Sequence, residues 1–438
     1  MPTPADPTTD PAPAAPERLG PYEIVRLLAV GGMAELHLAR TAGPGGAARL
    51  VVIKRVLPQL ANQSGFVRMF LAEARLAATL HHPNIVHVYD TGSAQGSYFC
   101  AMEFLHGADV RQIFRAVHQQ RREAMPIAHA TNILAGVSAG LHYAHEKTAP
   151  DGSPLNLVHR DVSPQNVFVT FEGGVKLLDF GIAKTSHRMT ASRRGPLRGK
   201  LAYTSPEQCR GEPLDRRADV YAAAVMLWEL TTGQRLRRRQ GDTPERITRA
   251  IIEEEPPPPS AVVADYPPDL EAIVMRGLRR DRDARYQTAR ELQLDLEAFA
   301  TAHGLALSTA SLAEHMRALF PTEIESWERA EREASALTEH IALTFQARTR
   351  EAAAGDEAGG GDETPATAPA GVATPIEAEP TARQSILARS ARFARAEVTP
   401  RAADAAAWLR SPLALTLLAL ILAVVTCVAA AAAWLLWR

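Results

Sequence analysis

Read by the spacing of its apolar residues, the chain falls into unlike zones. From Pro21 to about residue 300, short apolar runs and helical periodicities alternate, broken by Gly, Pro and Asp turn signals. That is the pattern of a folded region. Two strand-like runs flank Leu28-Ala29-Val30-Gly31-Gly32-Met33-Ala34-Glu35-Leu36, and Leu50-Val51-Val52-Ile53 is a buried-strand run ending on Lys54. A helix is predicted over roughly Gly65 to Leu80. Phe66, Phe70, Ala77 and Leu80 mark its buried stripe, and Glu73 falls on the same stripe. Val167 to Phe171 and Val175 to Leu178 read as a strand pair about a Glu172-Gly173-Gly174 turn, and Asp219 opens an almost wholly apolar helix, Val220 to Leu230. Residues 301–350 are expected to be a helical extension, with Leu312, Met316, Leu319 and Phe320 at helical spacing.

The ends are patterned differently. Residues 1–20, rich in Pro, Ala and Thr, read as a disordered leader, with neither the basic start nor the apolar core of a signal peptide. Residues 351–411, dominated by Ala, Pro, Thr, Glu and Gly, read as a disordered linker. Leu413 to Trp437 contains no charged residue, no Pro and no Gly. A helix of about 25 residues would reach roughly 37 Å, beyond a hydrocarbon core of about 30 Å. A transmembrane helix is therefore expected over 412–437; the plain alternative, a buried core helix, is rarely so uniformly apolar. Trp434 and Trp437 stand where an interfacial belt would, and Arg389, Arg392, Arg395, Arg401 and Arg410 precede the span. The positive-inside rule then puts everything before it on the cytoplasmic side of the cell (inner) membrane. With Arg438 last, no domain is expected beyond the span, and a ligand-sensing receptor is not expected.

Composition narrows the function classes. A length of 438 residues suits two to three domains at about 150 residues each. The net charge of −1 argues against nucleic acid as a partner, which usually requires a basic excess. Cys100, Cys209 and Cys427 are odd in number and far apart, so no disulfide framework is readable, which fits a reducing compartment.

The chemistry-bearing residues lie in the folded zone. The small-residue turn at Gly31-Gly32 would let backbone N–H groups approach phosphates, although most such pairs are ordinary hairpins. Lys54 would be an ammonium delivered from a rigid strand, or a solvated strand end. A carboxylate on a buried stripe, such as Glu73, needs a partner, and Lys54 is available. The strongest signal is Val158-His159-Arg160-Asp161-Val162-Ser163-Pro164-Gln165-Asn166, followed by the strand pair that delivers Asp179-Phe180-Gly181. The hairpin brings Asp161, Asn166 and Asp179 together: oxygen ligands suited to Mg²⁺, with a spare carboxylate to accept a proton.

Together, Ala29 to Leu36, Lys54, Glu73, His159 to Asn166, Asp179 to Gly181 and Ser205-Pro206-Glu207 resemble the eukaryotic-type (Hanks-type) serine/threonine protein kinases found in bacteria, over about Tyr22 to Phe299. The resemblance implies an α+β, two-lobed protein kinase fold over 21–300, a small β-rich lobe above a larger helical lobe, to which this chain adds one C-terminal transmembrane helix. It implies ATP in the cleft and Mg²⁺ as cofactors. Leu28 to Leu36, Lys54, Glu103 and Leu105 would bind nucleotide, with Lys54 on the α- and β-phosphates and paired to Glu73. Asp161 would accept the substrate proton, and Asn166 and Asp179 would hold magnesium. Met102 would guard the back of the adenine pocket, and the backbone of Glu103 to Leu105 would meet the adenine edge. Asp219 would anchor the catalytic loop from below, and Arg285 would pair with Glu207; both are structural roles.

The departures from the family pattern are informative. Ala29 and Ala34 stand where Gly is usual, and Ser163 stands where a phosphoryl-steadying Lys is usual. Lys200 follows Gly199 where the family has Thr, and in the family fold those two positions meet over the catalytic Asp. The expectation is an exchange of ammonium and hydroxyl, with Lys200 restoring charge near Asp161. The plain alternative makes Lys200 one more cation beside Arg193, Arg194 and Arg198. Arg160 would answer a phosphorylated loop, with Thr190 first among Thr185, Ser186, Thr190 and Ser192. The activity implied is ATP-dependent phosphorylation of serine or threonine on protein substrates by a membrane-tethered signalling kinase, activated by autophosphorylation. The Ala429 to Ala433 stretch suits a homodimer in the bilayer. The alternative is a pseudokinase serving as an ATP-responsive membrane scaffold.

Overall fold

The computed structural model describes residues 17–43, 48–121, 124–180, 200–237, 243–333 and 337–358. Two compact units divide after Glu363, and every described residue belongs to the first. The expected linker beyond 358, the expected span 412–437 and the candidate phosphorylation sites Thr185, Ser186, Thr190 and Ser192 lie outside the described residues. Among the described residues, no helix is long and apolar enough to cross a membrane.

The small lobe is an antiparallel sheet of β1 (Arg18–Leu19), β2 (Tyr22–Val30), β3 (Ala34–Ala42), β4 (Ala48–Val56), β5 (Val88–Ala94) and β6 (Ser97–Glu103), in the order β1-β2-β3-β4-β6-β5. Alternation along β4 sends Val51 and Ile53 to the outer face, where they pack with Tyr22, Ala39, Phe99 and Ala101. Val52 and Lys54 therefore share the inner face. Opposite them in register stand Leu38 and Leu36 on β3, and Met102 and Cys100 on β6.

Between β4 and β5 run α1 (Pro58–Ala61) and α2 (Ser64–Ala77). The stripe of α2 differs from the sequence expectation. Val67 and Ala74 are its buried residues, and Phe70, Ala74 and Ala77 pack toward Val88 and Cys100. Phe66 and Glu73 sit half-buried at the stripe's edge, and Leu80 is buried beyond the helix end. Sheet contacts, which periodicity cannot show, choose the Val67–Phe70–Ala74–Ala77 line.

The chain crosses to the large lobe through Phe104 to His106. Then follow β7 (Gly107–Asp109), α3 (Val110–Arg121), α4 (Ile127–His145), the hairpin of β8 (Val167–Thr170) and β9 (Val175–Leu177), α5 (Pro206–Arg210) and α6 (Arg217–Thr232). The remaining helices are α7 (Pro244–Glu253), α8 (Pro268–Gly277), α9 (Ala289–Ala302), α10 (Thr309–Leu319), α11 (Pro321–Arg332) and α12 (Leu337–Ala358). Helix α12 thus continues past the expected boundary at 350. Helix α6 is buried from Ala218 through Thr232, as a helix apolar on all sides must be. Two glycines permit close packing around the hairpin. A Cβ on Gly107 would lie 2.1 Å from the carbonyl oxygen of Val169, and one on Gly173, at φ +84°, 1.9 Å from that of Thr309.

Arg285 and Glu207 form a fully buried pair. The guanidinium donates to Glu207 Oε1 at 2.7 Å and Oε2 at 2.8 Å, and also to the carbonyls of Arg279, Arg217 and Arg280. Burial works against the Glu207 charge, but the Arg285 bonds outweigh it and hold the carboxyl below its ordinary range. Glu207→Ala would leave the guanidinium buried without its carboxylate and should cost about 3–5 kcal/mol in denaturant unfolding. Unchanged stability would show that this pair does not hold the lobe.

Candidate active site

The loop that carries Asp161 hangs from one carboxylate. Asp219, in the first turn of α6 and 1% exposed, accepts from the amide of His159 at 2.7 Å and that of Arg160 at 2.8 Å. The His145 imidazole bonds the same side chain at 2.8 Å. Burial opposes the charge of Asp219, yet these donors keep its pKa below the ordinary value. Arg160 consequently sits at φ +65°, a left-handed conformation costing roughly 1–3 kcal/mol and tolerated where surroundings impose it. Its carbonyl accepts from Gln208 Nε2 at 3.1 Å. His159 fixes the next turn. Its Nε2 donates to the carbonyl of Leu178 at 3.0 Å, its Nδ1 accepts from the Asp161 amide, and its ring lies against Phe180 at 4.6 Å. Burial lowers the His159 pKa, which keeps the imidazole neutral for both bonds.

Two carboxylates and two ammonium groups converge above this loop. Asp161 Oδ2 accepts from Lys200 Nζ at 2.8 Å and from Asn166 Nδ2 at 2.9 Å. Asn166 also donates to the backbone carbonyl of Asp161 at 2.8 Å, which closes the loop on itself. Asp179, left-handed at φ +46°, takes Lys54 Nζ on Oδ1 at 2.7 Å. The Lys54 charge, with a further pull from Lys200, holds the Asp179 carboxyl below its usual range. Burial disfavours the Lys54 charge, but Asp179 and, after it, Glu73 raise its pKa overall. The direct partner of Lys54 is thus Asp179, whereas the sequence points to Glu73, whose attraction is the weaker. An amide oxygen from Asn166 and a half-exposed carboxylate from Asp179 form a hard donor pair that suits Mg²⁺.

Residues 22–295 match the protein kinase domain family. The chain belongs to that family. It is 43% identical over 284 residues to the tyrosine-protein kinase MasK of Myxococcus xanthus, covering 65% of this chain and 44% of MasK. It is 37% identical over 285 residues to the serine/threonine-protein kinase PknB of Mycolicibacterium smegmatis, covering 63% of this chain and 42% of PknB. A solved structure, the PknI kinase domain of M. tuberculosis, aligns at 28% identity over 66% of this chain and 100% of that one, with a TM-score of 0.49. The matches span less than half the length of these curated relatives.

Within this kinase domain, the Gly-rich turn is an open hairpin tip. Gly31 donates to the carbonyl of Ala34 at 2.9 Å, and Val30 and Met33 are exposed. Neither Ala29 nor Ala34 takes a positive φ, so alanine carries no backbone strain there. In the link between lobes, the amide of Glu103 donates to the His87 carbonyl. Its carboxylate accepts from the His87 amide at 2.7 Å and from Lys176 Nζ at 2.8 Å, which ties β6 to β9. Leu105 follows, half-buried. Ser163 does not reach Asp161: its hydroxyl is buried and has no partner among the described residues.

Several positioning residues escape a reading by motif. His145 bonds Asp219 from the end of α4. Tyr203, three residues beyond Lys200, donates to Glu229, and Arg235 donates to both at 2.8 Å and 2.7 Å. Burial first, then the Glu229 carboxylate, pushes the Tyr203 phenol well above its ordinary pKa, so it stays a donor. This buried knot anchors the loop on which Lys200 rides. Only the spacing of Tyr203 from Lys200 hints at it in sequence.

Because the native state keeps His159 neutral, lowering the pH through about 6.5 protonates the unfolded chain first, and stability should fall as pH falls. By NMR the His159 ring should titrate below the ordinary imidazole value of about 6.5; titration above it would contradict the bond assignment. If Lys200 supplies the charge that Ser163 lacks, Lys200→Thr should be strongly impaired, and adding Ser163→Lys should recover part of the phosphotransfer rate. A double variant no faster than the single would mean the two positions are uncoupled.

Proposed function

We propose that this kinase transfers the γ-phosphoryl group of ATP to serine or threonine hydroxyls of proteins. The observation that carries the reading is Asp161 Oδ2 held between Lys200 Nζ and Asn166 Nδ2. Asp161 would accept the proton of the attacking hydroxyl as the new oxygen–phosphorus bond forms and the bond to the departing ADP oxygen breaks. Lys200, with its ammonium beside that carboxylate, would steady charge on the transferring group, while Lys54 would pass from Asp179 to the nucleotide phosphates. Asn166 and Asp179 are the residues that would hold Mg²⁺, which supplies charge neutralisation at the phosphates. Chemistry of this kind asks for positioning and electrostatics from the protein, and those are what the site offers. Intact Lys54, Glu73, Asp161, Asn166 and Asp179 favour an active enzyme over a pseudokinase scaffold.

Serine/threonine specificity is supported by the similarity to the serine/threonine-protein kinase PknB and to a Streptomyces coelicolor relative, a probable serine/threonine-protein kinase 35% identical over 290 residues. A tyrosine reading is favoured by MasK. Incubation with labelled ATP and Mg²⁺, followed by phosphoamino-acid analysis of a mixed protein substrate, separates the two. Phosphoserine or phosphothreonine is expected, and Asp161→Asn should abolish it; phosphotyrosine alone would overturn the specificity. The uncharged run from Leu413 to Trp437 supports tethering to the cell membrane, with the kinase domain cytoplasmic and helix pairing that favours autophosphorylation in trans at sites such as Thr190. The full-length protein should sediment with membranes and resist alkaline extraction; recovery in the soluble fraction would remove the tether.

A further inference from the structure

The helices beyond the family match fasten onto both lobes. Helix α10 gives Leu312, Met316 and Leu319 to the large-lobe core. Helix α11 carries Trp327, which stacks on His106 at a centroid distance of 3.7 Å and on Phe104 at 5.7 Å, against the link between the lobes. Helix α12 then lies along β2. Its Ile341 and Ala342, 3% and 0% exposed, form one cluster with Leu28, Leu38 and Val52, and Leu36, Met102 and Phe104 pack against that cluster.

The face on which α12 sits is decisive. Leu38, Val52 and Met102 are register partners, and Val52 precedes Lys54 by two residues, so all three share the face that presents Lys54. Leu28, Leu36 and Met102 are also positions that the kinase reading gives to the nucleotide. An adenine ring and the side chain of Ile341 would compete for the same apolar surface. In the same structure Lys54 is bonded to Asp179, so the ammonium meant for phosphates is satisfied within the chain.

We infer that Leu337–Phe345 is an intramolecular strap that occupies the adenine side of the nucleotide cleft, so that the resting kinase excludes nucleotide until α12 lifts away. The inference rests on the kinase reading of this cleft. The contacts suit a reversible device. Apolar burial seats the helix, and its polar ties lie at the rim. Arg26 and Glu339 are 3.7 Å apart with 44% and 63% of their side chains exposed, and Gln346 Nε2 donates to the Leu27 carbonyl at 3.4 Å. Rim ties of that kind hold little. Apparent nucleotide affinity would then be the intrinsic affinity reduced by the fraction of chains with the strap raised.

The test uses the full chain and a fluorescent ATP analogue with Mg²⁺. Ile341→Asp places a carboxylate in the apolar seat and should tighten nucleotide binding by at least about tenfold. Leu343→Asp, on the 56% exposed side of the same helix, should leave affinity at the wild-type level. Equal affinity in wild type and Ile341→Asp, at whatever level, overturns the strap. Hydrogen exchange on the unaltered chain gives a second reading: nucleotide should raise exchange across α12, and unchanged exchange at saturating nucleotide overturns the strap as well. If Ile341→Asp binds more tightly but transfers no phosphoryl group, the strap stands and the kinase reading falls. Equal affinities with active transfer remove the strap alone.

Discussion

The catalytic arrangement depends on one buried carboxylate. Asp219 pays its desolvation through two backbone amides and an imidazole, and in doing so forces Arg160 into a left-handed turn that no local preference would select. With that turn fixed, His159 bridges to the strand pair through the Leu178 carbonyl. The hairpin then brings Asp179 to the side of Asp161, and Asn166 locks the loop from within. Strain at Arg160 and Asp179 is therefore concentrated where the chemistry is, and the nearly all-buried α6 supports it.

Above this base, charge is balanced in crossed pairs: Lys200 with Asp161, and Lys54 with Asp179. Each ammonium is neutralised by the carboxylate that the proposed reaction would call on. For Lys54 to meet nucleotide phosphates and Asp179 to hold a metal, as the proposed reaction would require, the second of these bonds would have to open. The lysine–aspartate bond and the docked α12 therefore describe the same resting condition from two sides of the cleft.

How much of this is legible in sequence depends on the reach of each contact. Asp161, Asn166 and Asp179 stand out because their spacing about one hairpin fixes their mutual placement, whereas Lys54, 125 residues from Asp179, is placed by the family resemblance. The Glu172-Gly173-Gly174 hairpin and the apolar helix after Asp219 declare themselves through short-range pattern. The departures at Ser163 and Lys200 point to each other through the family fold, and the ammonium does meet Asp161, although the Ser163 hydroxyl does not. On α2 Phe70 and Ala77 are legible as stripe members but Val67 and Ala74 are not, because the sheet residues that select them lie more than a helix away in sequence. The Tyr203–Glu229–Arg235 knot, the stacking of Trp327 on His106 and the burial of Ile341 against Val52 join distant segments, and periodicity marks each residue only as apolar or polar.

In the proposed reaction Lys200 supplies the cation at the site of phosphoryl transfer. A single-turnover measurement of Lys200→Met, with nucleotide affinity determined in parallel, tests it most directly. The chemical step should slow by about 10²–10³ with affinity for Mg²⁺-ATP little changed, because the lost charge acts on the transferring group rather than on the bound nucleotide. An unchanged chemical step, or a loss confined to nucleotide affinity, would contradict it.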